Sequence, residues 1–252
     1  MALVTGGQAA VSTLEAENTK YVFGLIGSAT MEIFDALYDS QNINYIGVHD
    51  ERTGVHMADG YARASGNAGL FLAGQNGPGA TNLVTGLSQA MAAFSPVVSI
   101  AGALSSSHLY RDAFQEIDQN ALFKPITKKT WTAPSAERIP ELLREAFRNA
   151  LTPRMGPVHL NLPRDVLAAQ FENSFDLHPS SYRDMSAPAG DFEKIKQASR
   201  IISEANKPVI IAGGGIKNTA GQTQALALAE ELNCPIVTSP GHGDAIAFSH
   251  PL

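Results

Sequence analysis

Short, largely apolar runs recur along residues 21–163: YVFGLI (21–26), INYIGV (43–48), GLFLAG (69–74), PVVSIAGA (96–103) and GPVHLNLP (156–163). A strand that is apolar on both sides must be covered on both sides. Parallel sheets flanked by helices meet that condition, whereas a half-solvated antiparallel sheet alternates apolar with polar residues. The intervening segments supply the helices. TMEIFDALYDS (30–40) sets Met31, Ile33 or Phe34, and Leu37 on one face, and ERTGVHMADGYARASG (51–66) ends near Gly66. A small-residue helix spans about 79–94, and AERIPELLREAFRNAL (136–151) is amphipathic. KKTWTA (128–133) adds a more polar strand. The pattern predicts a doubly wound, parallel α/β domain over residues 1–170.

Residues 171–190, FENSFDLHPSSYRDMSAPAG, lose the periodicity and gain Ser, Pro and Asp, which reads as a linker. The pattern then restarts. FEKIKQASRIISEA and TAGQTQALALAEELN are helical, with KPVIIAGGG and CPIVTS as strands. Residues 191–252 are thus expected to open a second, Rossmann-like α/β domain. About sixty residues is roughly half of an ordinary ~100–150-residue domain, so the sequence reads as the N-terminal portion of something longer.

A net charge of −6 argues against nucleic-acid binding. The densest basic stretch, KPITKK (124–129), is expected to be a solvated strand end. The single cysteine, Cys234, sits among apolar residues and is expected to pack rather than react. No apolar run reaches the ~20 residues that span a bilayer. The start, MALVTGGQAA, lacks the basic and apolar regions of a signal peptide. A cytoplasmic chain with no membrane contact is the expectation.

Three places invite chemistry. GQNGPG (74–79) lies between a strand and a helix, where glycines bring backbone close to a ligand or simply make a tight turn. It has neither the Gly-Lys-Ser/Thr of a P-loop nor the G-x-G-x-x-G spacing. AGGG (212–215) is similarly a phosphate-binding turn or a structural one. Glu51 falls where the second strand stops, at the carboxyl edge at which open α/β sheets bind ligands. It is either a solvated turn residue or a carboxylate buried beneath a ligand, able to exchange a proton with a heterocycle. His49 and His56 lack a third partner for a metal, and no G-x-S-x-G elbow marks a hydrolase.

Taken together, FGLIGSATMEIFDAL (23–37), HDERTGVHMADGYARASG (49–66), GQNGPGATNLVTGLSQAMAAFSPVVSIAG (74–102), DAFQEIDQNALFKPITK (112–128) and GPVHLNLPRDV (156–166) resemble the thiamine-diphosphate-dependent enzymes of the acetolactate synthase group. The resemblance covers essentially the whole chain and implies a pyrimidine-binding domain followed by the start of the middle domain. It implies that Glu51 hydrogen-bonds the cofactor's aminopyrimidine ring, which helps to remove the thiazolium proton. Asn76, Gly77, Pro78 and Asn82 would contact the cofactor. Ile26, Gly27, Ser28, Phe114 and Gln115 would face the substrate, a 2-oxo acid or small aldehyde, with Gln115 also catalytic.

The family binds Mg²⁺ through a Gly-Asp-Gly motif in a C-terminal domain, and Gly243-Asp244-Ala245 is not that motif. The resemblance therefore implies half a site, completed by the partner in a homodimer or homotetramer or by a separate chain. FAD in the middle domain stays open, with AGGG as a candidate. Asp50 stands before Glu51 where histidine is commoner, and Asn76 where many relatives have serine. FGLIGS, QNGPG, FQEIDQNALF and GDAIAFSHPL lean towards sulfoacetaldehyde acetyltransferase, with acetolactate synthase as the alternative. A non-catalytic assembly subunit and a nucleotide-binding module are the competing readings.

Overall fold

A computed structural model of the chain describes residues 3–172, 174, 178–184, 189–218 and 221–252. The described strands are β1 (Leu3–Thr5), β2 (Tyr21–Leu25), β3 (Asn44–Gly47), β4 (Gly69–Ala73), β5 (Val97–Ala103), β6 (Thr130–Thr132), β7 (Val158–Pro163), β8 (Gln170–Glu172), β9 (Ile210–Ala212) and β10 (Ile236–Thr238). The helices are α1 (Gly6–Ala16), α2 (Met31–Asp39), α3 (Glu51–Ser65), α4 (Pro78–Thr81), α5 (Val84–Ala92), α6 (Gln119–Phe123), α7 (Ile139–Leu151), α8 (Arg164–Ala168), α9 (Phe192–Ser203) and α10 (Gly221–Leu232). They form two compact units, Met1–Arg183 and Asp184–Leu252.

The first unit is built on a six-stranded sheet in the order β3-β2-β4-β5-β7-β6, with every pair parallel. Its central strands are buried on both sides, as their composition requires. Along β4, Leu70 and Leu72 join a core with Leu14, Ile33, Ile139 and Leu143, while Phe71 and Ala73 join the opposite core with Val55, Leu83 and Leu87. Full burial of one such large apolar side chain contributes about 1.5–3 kcal/mol. Helix α3 ends as its sequence predicts, with Gly66 in the left-handed region at φ 73° closing the last turn.

Several features differ from the sequence expectation. Helix α1 and the antiparallel β1–β8 pair have no counterpart in it. Three-residue strands carry no measurable period. The helix does announce itself, through the Thr5–Gln8 capping box. The expected helix at 79–94 is two helices, α4 and α5. The amide of Leu83 reaches back only to Ala80 O (3.0 Å), so the backbone tightens to a 3₁₀ turn between them.

The stretch expected as a linker is partly structured. Phe171 is buried in β8, the Tyr182 hydroxyl donates to Glu17 Oε1, and Arg183 pairs with Glu17 at 2.6 Å. Burial raises the Glu17 carboxyl above the ordinary carboxylate range, against the lowering pull of Tyr182 and Arg183. Composition alone does not reveal this tie, because it joins residues far apart in sequence. Residues 173, 175–177 and 185–188 of that stretch, and Thr219 and Ala220 of the expected last helix, lie outside the described residues. The basic stretch is also not simply solvated: Lys128 Nζ donates to Thr152 O (2.8 Å) and to Asn149 O at the end of α7, where a cation suits the helix dipole.

In the second unit, β9 and β10 pair in parallel beside α10. Cys234 is buried, as expected. Among the described residues no helix is long and apolar enough to cross a membrane.

Candidate active site

The sheet order sets the location. From β2 the chain passes to β3 on one side, then returns past β2 to β4 on the other. Helix α2, after β2, packs on one face of the sheet and α5, after β4, on the other. The loops leaving β2 and β4 therefore diverge, and ligands of open α/β sheets bind in the crevice at such a point.

Here the two loops touch. Gly74 N donates to Leu25 O (2.8 Å), and Ala29 N donates to Gly74 O (2.9 Å). A Cβ on Gly74 would lie 2.0 Å from Gly27 N, so only glycine permits this approach. Ser28 Oγ donates to Gln75 Oε1 (3.1 Å), and Gln75 Nε2 donates to Gln115 Oε1 (2.9 Å). The buried Asn76 amide donates to Gln115 O (2.9 Å). Gly77 sits at φ 52°, ψ −112°, and a Cβ there would meet Gln115 O at 2.6 Å. Pro78 then starts α4, where its missing N–H leaves no bond unmade. Residues 26–28, 74–79 and 114–115 thus meet at one edge. Gln75 connects the other two segments. Nothing within GQNGPG singles Gln75 out, because its partners Ser28 and Gln115 lie 47 and 40 positions away.

Glu51 is the first residue of α3, only 8% exposed. Asp50 before it is the helix N-cap: its carboxylate accepts from Arg52 N (2.8 Å) and pairs with the Arg52 guanidinium (3.1 Å). The adjacent carboxylates therefore have separate tasks, one capping and one turned inward. Asn82 Nδ2 donates to Glu51 Oε2 (2.9 Å). Among the described residues Oε1 has no hydrogen-bond partner, and it lies 3.3 Å from where a Cβ on Gly79 would stand. The missing side chain at 79 keeps that oxygen accessible. Glu51 also lies at the N-terminus of a 15-residue helix. Ile26 and Phe114 project outward, 64% and 78% exposed. No cluster of metal-ligating side chains occurs among the described residues.

Sequence profiles of two families match the chain: "Thiamine pyrophosphate enzyme, N-terminal TPP binding domain" over residues 4–122, and "Thiamine pyrophosphate enzyme, central domain" over 195–252. The chain belongs to the thiamine pyrophosphate enzymes. Similar curated proteins include the probable acetolactate synthase large subunit of Methanocaldococcus jannaschii, 40% identical over 98% of this chain and 42% of that protein. The acetolactate synthase large subunit of Buchnera aphidicola (subsp. Schizaphis graminum) is 37% identical over 95% and 42%. That of Corynebacterium glutamicum is 38% identical over 94% and 38%. The chain spans about two-fifths of the length of these relatives. Within the central-domain match, a Cβ on Gly214 of the AGGG turn would lie 2.4 Å from the His242 ring, so packing alone accounts for a glycine there.

The residues of this chain fit a heterocyclic cofactor at the sheet edge on one structural ground. Glu51 has one oxygen held by Asn82 and the other left for a donor, with Gly79 making the space.

Beneath the site runs a buried polar chain. His159 Nδ1 meets Ser99 Oγ (2.8 Å) and its Nε2 meets Asn161 Oδ1 (2.8 Å). Asn161 Nδ2 donates to Trp131 O (3.0 Å) and Asn120 Oδ1 (3.0 Å), which leaves Oδ1 to accept. His159 therefore carries its proton on Nε2, and its Nδ1 lone pair faces Ser99 Oγ, whose single proton is shared between that nitrogen and Val158 O (3.0 Å). Gln119 Nε2 donates to the same Asn161 oxygen (2.6 Å), joining the start of α6 to β7. Burial drives the His159 pKa down to about 3, opposed by its bond to Asn161.

The sign of the consequence is fixed. Below the ordinary histidine value the unfolded chain takes up a proton that the folded chain refuses, so stability falls as pH drops from about 6.5 towards about 3. The loss is about 1.4 kcal/mol per pH unit once the unfolded histidine is fully charged. In urea unfolding followed by the single tryptophan, Trp131, the stability difference between the parent and His159→Gln is expected to carry this one-proton slope between pH 4.5 and 6, because the opposite contribution of the raised Glu17 carboxyl is common to both and cancels. A slope unchanged in the variant contradicts the assignment.

Proposed function

We propose that this chain is the pyrimidine-binding part of a thiamine-diphosphate-dependent carboligase that joins 2-oxo acids, acetolactate synthase being the model. The acetolactate synthase name carried by the relatives favours this over the sulfoacetaldehyde acetyltransferase lean. Glu51 carries the proposal: a buried carboxylate with one oxygen fixed by Asn82 and one free is what proton exchange with an aminopyrimidine requires. A purely structural subunit has no use for it.

The cofactor, when bound, supplies a nucleophilic carbon and stabilises the carbanion left by decarboxylation. The protein's own part is orientation and proton control. Glu51 Oε1 would accept a ring N–H and hold or return that proton. Asn82 fixes the carboxylate's direction. Asn76 and Gly77 would bring backbone to the ring, with Pro78 setting the turn. Gln115, Phe114 and the Ile26–Gly27–Ser28 loop would bound the substrate side. Two pyruvate ions and one proton give acetolactate and CO₂. Mg²⁺ and the diphosphate belong to a domain supplied by further sequence or by a partner in a homodimer, homotetramer or mixed assembly. FAD, where bound, is assigned to the middle domain.

The test uses two arms. These 252 residues alone are expected to bind thiamine diphosphate weakly and release no CO₂ from pyruvate. Supplied with the C-terminal portion of the Methanocaldococcus jannaschii relative, they are expected to produce acetolactate only when thiamine diphosphate and Mg²⁺ are added. Tight NAD or FAD binding by the chain alone, with no cofactor-dependent turnover after complementation, counts for the nucleotide-module reading instead.

A further inference from the structure

The segment between β5 and α6, residues 104–118, carries Phe114 and Gln115 on an unusual backbone. Three of its non-glycine residues are left-handed: Tyr110 (φ 62°), Asp112 (φ 51°) and Gln115 (φ 62°). L-residues avoid this region, so the conformation needs support from outside the local chain. Side-chain packing does not provide it, since Tyr110 is 95% and Phe114 78% exposed.

One side chain is placed to do so. Glu116 Oε1 accepts from Tyr110 N (2.7 Å), and its Oε2 accepts from Ala113 N (3.0 Å). Glu116 N returns a bond to Ala113 O (3.0 Å). The donors at Tyr110 and Ala113, joined by the Arg111 and Asp112 backbone, hold the Glu116 carboxyl below the usual carboxylate range. Charge-assisted bonds of this kind are stronger than neutral ones. Further back, Ser106 N donates to both Asp165 oxygens (3.1 Å each), mooring the start of the segment to α8. Gln115 is then held from two directions: Gln75 and Asn76 on the sheet side, and the Glu116 clamp on the other.

We propose that Glu116 is a positioning residue, whose carboxylate clamps the Tyr110–Ala113 turn and so presents Phe114 and Gln115 to the reacting substrate. Glu116 itself touches neither cofactor nor substrate. The clamp stands on geometry alone, while its consequence for turnover rests on the function proposed above.

The experiment keeps those two apart. Amide hydrogen exchange is measured in the 252-residue chain and in Glu116→Gln and Glu116→Ala. Exchange at Tyr110 and Ala113 is expected to rise roughly ten- to hundred-fold, the loss of a bond to a charged acceptor. The amide of Gly54, inside α3, serves as the internal control for an intact fold and is expected to stay unchanged. Unchanged exchange at Tyr110 and Ala113 overturns the clamp. In the complemented enzyme, kcat/KM is compared for Glu116→Gln, Gln115→Ala and the double variant. If Glu116 acts through Gln115, the double variant is expected to be no slower than Gln115→Ala by more than about threefold. Fully additive losses overturn the positioning role. Absence of any cofactor-dependent turnover tells against the proposed function, and the exchange result still decides the clamp.

Discussion

Glu51→Gln is expected to lower thiamine-diphosphate-dependent turnover of the complemented enzyme by roughly 10²–10⁴-fold, the range for removing a positioned proton-transfer group. The substitution is nearly isosteric. A glutamine oxygen still accepts from Asn82 Nδ2, so the 2.9 Å bond that orients the side chain has a replacement. What disappears is the carboxylate's capacity to carry a proton at the unpartnered oxygen beside Gly79. The cost to folding is expected to stay within about 2 kcal/mol, the helix-dipole contribution of a charge at a buried helix N-terminus, since Glu51 is only 8% exposed. Steady-state CO₂ release from pyruvate, with circular-dichroism melting as the control, checks both halves. Turnover within a few-fold of the unmodified enzyme would remove Glu51 from the chemistry.

Gly74→Ala is the largest expected blow to stability. Its Cβ would stand 2.0 Å from Gly27 N and 2.5 Å from Gly27 Cα, and these are backbone atoms that cannot rotate away. The ends of β2 and β4 would have to separate at the sheet's switch point, breaking the bonds from Gly74 N to Leu25 O and from Ala29 N to Gly74 O. Forced overpacking costs about 1–3 kcal/mol, and two strained backbone bonds place this change at the upper end. For a unit of this size about 3 kcal/mol corresponds to a fall in Tm of roughly 6–12 °C. The same separation moves the Ile26–Gly27–Ser28 loop away from Gln75, so cofactor affinity should fall as well. Calorimetry of the 252-residue chain tests the first effect and isothermal titration with thiamine diphosphate the second. A Tm within about 2 °C of the parent would mean that the loops relax without strain.

Much of this architecture is legible in the residues themselves. Runs such as GLFLA (β4), buried throughout, can sit only in the middle of a sheet covered on both sides, and Gly66 marks where α3 must stop. The glycines at 74, 77 and 79 advertise close approach, though not to what. Other features have no local signal. That Asp50 would cap α3 while Glu51 turned inward depends on where β3 ends, one residue short of the apolar run's apparent limit. Gln75 earns its place only through partners at Ser28 and Gln115, far away in sequence. The Tyr182–Glu17 contact spans 165 positions and hides inside a segment with the composition of a linker. Strands of three residues, like β1 and β8, are fixed by their pairing and not by their own pattern.

The most direct test is a crystal structure of the complemented enzyme with thiamine diphosphate bound. The distance from Glu51 Oε1 to the nearest aminopyrimidine nitrogen is expected to lie within about 2.6–3.2 Å, hydrogen-bond reach for proton exchange. A ring seated beyond the reach of either Glu51 oxygen would contradict the account, whatever the rest of the fold looked like.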